Sequence, residues 1–164
     1  MGKKSKIFYY TVLIVNIIIF ILDMSPIDFP FFRISFSVSL FLIGILLIIR
    51  AINLKIDSSL FLGIILMLVG ILNGISYVGS AYFSLDINQL WPYYLFAVSI
   101  SSFVTSIYFK DKLQAKLCLL FLGFGAITLL FVQKLIVLWL FIVLMVVWFV
   151  AYFAFNIIRA KRRK

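Results

Sequence analysis

Long apolar runs separated by short polar breaks make up most of the chain. Cutting the sequence at charged residues and turn formers leaves six runs, each with few polar residues. A helix needs about 20 apolar residues to cross a hydrocarbon core of about 30 Å, and fewer when flanking cationic side chains reach the headgroups. The pattern therefore predicts an all-α membrane protein with six transmembrane helices. The predicted spans are 7–22, 31–49, 59–78, 91–109, 115–132 and 135–158.

The breaks between the runs differ in strength. The fifth and sixth runs are separated only by Gln133 and Lys134. Without that break, 115–158 would be one helix too long for any bilayer, so we predict a tight turn there. Pro92 falls at the first turn of the fourth helix, where a missing N–H group costs nothing. The six spans are expected to form a single polytopic membrane domain, 1–164.

Composition supports this assignment and limits the chemistry. Hydrophobic residues make up 66% of the chain and charged residues 12%, whereas about a quarter of a soluble domain is charged. The chain has no His and no Glu, and its one cysteine, Cys118, lies inside the fifth span. We therefore expect no disulfide framework, no catalytic site, no metal site and no cofactor.

The distribution of Lys and Arg predicts the orientation. One side of the predicted membrane collects 13 basic and two acidic residues, and the other holds two basic and three acidic residues. The positive-inside rule places the basic side, with both termini, in the cytoplasm. The 13 basic residues are Lys3, Lys4, Lys6, Arg50, Lys55, Lys110, Lys112, Lys116, Arg159, Lys161, Arg162, Arg163 and Lys164.

The basic C-terminal tail is predicted to contact lipid. It consists of Arg159, Lys161, Arg162, Arg163 and Lys164. Each basic residue next to a membrane gains about 1 kcal/mol from anionic headgroups. The tail is too short and too close to the membrane to bind nucleic acid as its main task, so anionic lipid is the expected partner on the cytoplasmic side.

Three aspartates, Asp23, Asp28 and Asp86, are predicted on the outer side. Paired carboxylates could act as general acid and base or bind a cation. However, membrane enzymes that use such chemistry usually add His, Glu or a second acidic motif. We favour the interpretation that these acids are tolerated outside, because basic residues determine insertion.

Polar residues within the spans allow two interpretations. Ser99, Ser102 and Ser106 share one face of the fourth helix, where they could hold helices together or line a narrow polar path. No charged residue lies at mid-depth in any span, which argues against proton relays and ion-coupled transport. A possible polar pocket would be lined by Asn16, Asn73, Trp91, Tyr93 and Tyr94.

Glycines mark the third helix as a packing element. Gly70 and Gly74 form a GxxxG motif, and Gly63 lies seven residues before Gly70 on nearly the same face. Small residues at this spacing let another helix backbone approach closely. We predict that the third helix is central to the bundle.

The spans group into three consecutive hairpins, 7–50, 58–110 and 113–159. The middle one has Gly63 and Gly70 on its first helix, an outer loop containing Asp86, and then Leu90-Trp91-Pro92 opening the return helix. Over residues 59–95 this pattern resembles the membrane hairpins of LiaF-like bacterial cell-envelope stress proteins. The soluble C-terminal domain typical of those proteins does not follow. The resemblance implies a bacterial cytoplasmic membrane protein involved in envelope stress.

Two functions fit these features. The first is a non-enzymatic accessory or sensor protein that acts through helix contacts with a membrane-protein partner. The second is a small transport component that binds a small molecule from the outside. In length and topology the chain resembles the substrate-binding subunits of energy-coupling-factor vitamin importers, although their Ala-rich contact motif is missing from residues 9–22. A pocket open to the outside would favour the second function.

The predicted orientation is testable by cysteine accessibility. In a variant lacking Cys118, Ser84→Cys should react with an impermeant thiol reagent from outside, and Gln114→Cys only after the membrane is permeabilised. Labelling of both positions from the same side would contradict the topology.

Overall fold

The computed structural model describes residues 3–23, 32–83 and 89–161, and these form six α-helices. Five of them, the second to the sixth, are long and apolar enough to cross a membrane. The all-helical, multi-pass character predicted from the apolar runs is thus confirmed. The helices are α1 (Lys3–Asp23), α2 (Phe32–Leu54), α3 (Asp57–Phe83), α4 (Trp91–Phe109), α5 (Lys112–Val132) and α6 (Leu138–Lys161).

Several helix ends agree with the apolar pattern, and others extend beyond it. α4 has the predicted bounds, and the weak break after α5 is present, since α5 ends at Val132 and α6 begins at Leu138. α2 continues past Arg50 to Leu54, five residues beyond its predicted end. A charged residue marks where a helix leaves the hydrocarbon, but the helix itself ends only where its backbone is capped.

Lysine residues end three of the helices. Lys55, Lys110 and Lys134 have positive φ angles of 54°, 56° and 58°, in a left-handed conformation that glycine usually supplies at this position. After α2, the amide of Ile56 donates to the carbonyl of Ala51 at 3.1 Å, and after α5 the amide of Leu135 donates to the carbonyl of Leu130 at 3.0 Å. These are Schellman-type caps, which satisfy carbonyls that the helix end leaves without partners.

Aspartates begin the two helices that follow short turns. The carboxylate of Asp111 accepts a hydrogen bond from the amide of Leu113 at 2.8 Å and caps α5. The carboxylate of Asp57 accepts from the amide of Ser58 at 2.6 Å at the start of α3. Both acids on the side predicted to be cytoplasmic therefore have a local role, since a carboxylate stabilises the positive end of a helix dipole.

The chain divides into two compact units, Met1–Leu90 and Trp91–Lys164. In the first unit α2 and α3 form the most extensive helix pair, and α1 packs on α2. In the second unit α4 and α5 form the most extensive pair, and α6 packs on α5. The closest packing in each unit thus lies across the turns at 55–56 and 110–111. Of the predicted hairpins, 7–50 and 113–159 correspond to more weakly packed pairs, and 58–110 takes one helix from each unit.

Small side chains form the buried part of the described helices. The largest fully buried side chains are those of two threonines, two serines and a proline, whereas most large apolar side chains are exposed. A water-soluble fold would bury its large apolar groups. Here lipid can cover them, and the interior is left to residues that let helix backbones approach each other. The five side chains are Thr105, Thr128, Pro92, Ser101 and Ser102.

Candidate functional site

The tightest helix contact joins α2 and α3 through glycine. A Cβ atom on Gly44 would lie 2.6 Å from the carbonyl oxygen of Gly63 and 2.6 Å from the amide nitrogen of Met67. A Cβ atom on Gly70 would lie 2.7 Å from the carbonyl oxygen of Ser37. Real Cβ atoms do not approach backbone this closely, so only glycine fits at either position.

Two of the three predicted packing glycines therefore lie at the backbone contact, and the third lies beside it. A Cβ atom on Gly63 would be 2.9 Å from the carbonyl oxygen of Gly44. One on Gly74 would meet nothing closer than the Cβ atom of Ser37 at 3.8 Å, an ordinary van der Waals contact. Gly44, the partner of Gly63 on α2, was not among the predicted packing residues, because no second glycine on α2 indicates a motif.

The α4–α5 pair replaces this glycine contact with a hydrogen bond. The hydroxyl of Ser99 donates to the backbone carbonyl of Cys118 at 2.9 Å, and its Oγ lies 3.5 Å from the Cys118 thiol sulfur. Both side chains are buried. In an apolar medium, which offers no competing water, a bond of this kind contributes about 0.6 kcal/mol to helix association. Ser99 thus has the packing role predicted for it.

The other serines of the predicted face have different surroundings. Ser102 is fully buried, and its Oγ has no hydrogen-bond partner, whereas Ser106 is only half-buried. Thr105, outside the predicted set, is also fully buried with its Oγ1 lacking a partner. Ser101 lies about 160° around the α4 axis from Ser99 at 100° per residue and is fully buried as well. α4 is therefore buried on the side away from α5 too, and that side is polar.

The α5–α6 contact is centred on Trp148, which the sequence reasoning missed. Its indole Nε1 donates to the carbonyl of Leu120 at 3.2 Å, and its ring lies against Gly123, where a Cβ atom would overlap it. Trp148 lies ten residues from either end of the span Leu138–Ile158. A tryptophan N–H at mid-depth needs an internal acceptor. Its place at the middle of an apolar run, facing a glycine on the preceding helix, was the available signal.

Aromatic pairs extend this contact along α6. The rings of Phe124 and Phe149 are stacked with centroids 6.5 Å apart, and those of Phe131 and Phe141 are 4.6 Å apart. No residue between 138 and 158 is buried. α6 is thus held along one stripe, while most of its surface faces outward.

The predicted polar pocket is divided between the two units. Asn16 and Asn73 belong to the first, and the side-chain amide of Asn16 donates to the carbonyl of Val12 on its own helix at 2.7 Å. Trp91, Tyr93 and Tyr94 belong to the second, at the start of α4, where Trp91 and Tyr93 are exposed and Tyr94 is half-buried. The pocket stays a prediction, because these contacts leave the two groups in separate units.

The charged candidates lie mostly outside what the structure describes. Asp28, Asp86 and Arg162 to Lys164 fall outside the described residues, as do the side chains of Asp23, Arg159 and Lys161. Within 3–23, 32–83 and 89–161, no three His, Cys, Asp or Glu residues are grouped so that they could hold a metal ion.

No family of known proteins, no curated protein and no solved structure matches the chain.

The glycine contact gives a matched pair of substitutions. Gly70→Ala should lower the stability of the protein in detergent by about 1–3 kcal/mol, since its methyl group meets backbone that cannot move aside. Gly74→Ala should leave stability unchanged or slightly higher, because the added methyl has room and alanine favours a helix. Thermal unfolding of the two variants measures the difference, and equal stabilities would contradict the α2–α3 contact.

Trp148 and Trp139 form a second matched pair. Trp148→Phe should destabilise the α5–α6 contact by about 0.6–1.7 kcal/mol through loss of the indole hydrogen bond. Trp139 is 66% exposed, so Trp139→Phe should have little effect. Unfolding midpoints and tryptophan emission spectra measure both. An equal response to the two substitutions would mean that Trp148 does not hold α6.

Proposed function

We propose that the protein is a non-enzymatic accessory or sensor protein of a bacterial cytoplasmic membrane and acts through helix contacts with a membrane-protein partner. In this proposal six helices cross the membrane as an up-and-down series of three hairpins. Both termini are cytoplasmic, and the basic tail contacts anionic headgroups. The LiaF-like pattern of residues 59–95 suggests a role in the envelope stress response.

The observation that carries the proposal is the free surface of α6. Val146 and Val150 lie roughly opposite Trp148 around the helix axis, at 100° per residue, and are 57% and 59% exposed. One stripe of α6 is occupied by its contact with α5, which leaves the opposite side for lipid or for another helix. α6 is the most apolar of the five spans and the one with no buried residue in its apolar window.

The first helix completes the proposed topology. α1 has 21 residues, and its apolar segment 7–22 would extend about 24 Å at 1.5 Å per residue. That is shorter than a typical hydrocarbon core, but Lys6 at one end can reach toward the headgroups along its aliphatic stem. A crossing by α1 makes the number of spans even and so places the two termini on the same side.

The inventory of side chains argues against catalysis. The chain has no His and no Glu, the residues most used with Asp for acid–base chemistry and metal binding. Of the five aspartates, Asp57 and Asp111 serve as helix caps. The described helix interiors instead hold glycine, alanine, serine and threonine, which suit helix packing.

One observation favours the alternative function, a small transport component that binds a small molecule from the outside. The hydroxyls of Ser102 and Thr105 are one turn apart on α4, fully buried, and without partners. Unsatisfied buried polar atoms are rare in folded proteins. A polar substrate would supply the missing partners.

Photo-crosslinking on α6 tests the proposal. With a benzophenone amino acid at Val146 or Val150, ultraviolet light in intact cells should yield an adduct with one defined membrane protein. The same group at Met145, which is half-buried on the side of Trp148, is the matched control and should give less of that adduct. Adducts with lipid alone at both exposed positions would overturn the proposal and favour the transport alternative.

A further inference from the structure

The turns after α2 and after α4 have the same construction. In both, a lysine in the left-handed conformation follows the last helical residue, and the next helix begins two residues later. Lys110 follows Lys55 by 55 residues. The same interval separates the ends of α2 and α4, at Leu54 and Phe109, and the starts of α3 and α5, at Asp57 and Lys112.

The helix contacts coincide at the same interval. Gly44 meets Gly63 across the first hairpin, and their counterparts 55 residues later are Ser99 and Cys118, which are hydrogen-bonded to each other.

A second pair of contacts, nearer the far end of each hairpin, follows the same rule. A Cβ atom on Gly70 would lie 2.8 Å from the amide nitrogen of Phe41, and one on Gly125 would lie 3.1 Å from the ring of Phe96. Phe96 and Gly125 are the counterparts of Phe41 and Gly70. Two antiparallel helices have many possible registers, so agreement of both contacts and the turn at one offset indicates a common plan.

We infer that α2–α3 and α4–α5 are two copies of one transmembrane hairpin, repeated at an interval of 55 residues. The first copy brings its helices together through glycine at Gly44 and Gly63. The second uses Ser99 and Cys118 at those positions, and a side-chain hydrogen bond takes the place of the direct backbone contact. The inference concerns how the chain is built and holds independently of the proposed function.

The two copies differ in polarity on the first helix of each hairpin. At the positions of Ser101 and Ser102, the first copy has Leu46 and Leu47. The hairpin therefore does not need polar residues there to fold, and the buried hydroxyls of α4 are a specialisation of the second copy.

Disulfide trapping tests the repeat. The Cβ atom of Ser37 lies 3.8 Å from a Cβ atom built on Gly74, a typical separation for a disulfide. The repeat predicts that Pro92 and Leu129, 55 residues later, are paired in the same way. In a Cys118→Ser background, Ser37→Cys/Gly74→Cys and Pro92→Cys/Leu129→Cys should each form an intramolecular disulfide on mild oxidation in membranes.

The matched controls move one cysteine by one residue, which turns its side chain about 100° around the helix. Val38→Cys/Gly74→Cys and Tyr93→Cys/Leu129→Cys should form at least tenfold less disulfide. Each variant is first checked as a monodisperse peak in detergent, and only folded variants are scored. Trapping of 37/74 without trapping of 92/129, or equal trapping in a pair and its control, would overturn the repeat.

An exchange of residues supplies a second measurement. Ser99→Gly/Cys118→Gly gives the second copy the glycines of the first and should retain at least the unfolding midpoint of Ser99→Ala, which removes the hydrogen bond without allowing closer approach. A midpoint of the double-glycine variant well below that of Ser99→Ala would show that the second hairpin cannot adopt the packing of the first.

Discussion

Backbone contact between α2 and α3 is the interaction on which the first unit depends. Helices surrounded by lipid gain little from burying large apolar groups, because lipid tails are as apolar as leucine. They associate through close packing and through polar groups that find partners away from water. Gly44 and Gly70 provide the first, since neither position has space for a Cβ atom. The result is an interior of small residues beneath an exterior of leucine, isoleucine and phenylalanine.

The second unit solves the same problem with side chains. Ser99 reaches the carbonyl of Cys118 across the α4–α5 pair, and Trp148 reaches that of Leu120 across the α5–α6 pair. Both acceptors are backbone carbonyls of α5, which makes this helix the common partner in the described part of the unit. Gly123 gives the indole ring its place, so a glycine here accommodates an aromatic ring rather than a second backbone.

Periodicity and charge predicted the gross architecture well, and the details less so. The bounds of α4 were predicted because Pro92 and Lys110 flank an uninterrupted run, and the turn before α6 because bilayer thickness forbids a longer helix. Partners across helices, such as Gly44 for Gly63, depend on the register between helices, which no single run encodes. Trp148 was missed for the same reason. The separation into two units was also missed, since the apolar runs on either side of residue 90 look alike.

The lysines that end α2, α4 and α5 serve two stages in the life of the protein that make opposite demands. During insertion the chain is not yet packed, and a positive charge at Lys55 or Lys110 helps to retain its turn on the cytoplasmic side. After folding, the same residue must hold a left-handed backbone that costs a non-glycine residue about 1 kcal/mol or more. Glycine would remove that cost and lose the charge. Correct orientation is thus obtained at the expense of the folded state, which explains why turns this short carry lysine where soluble proteins favour glycine.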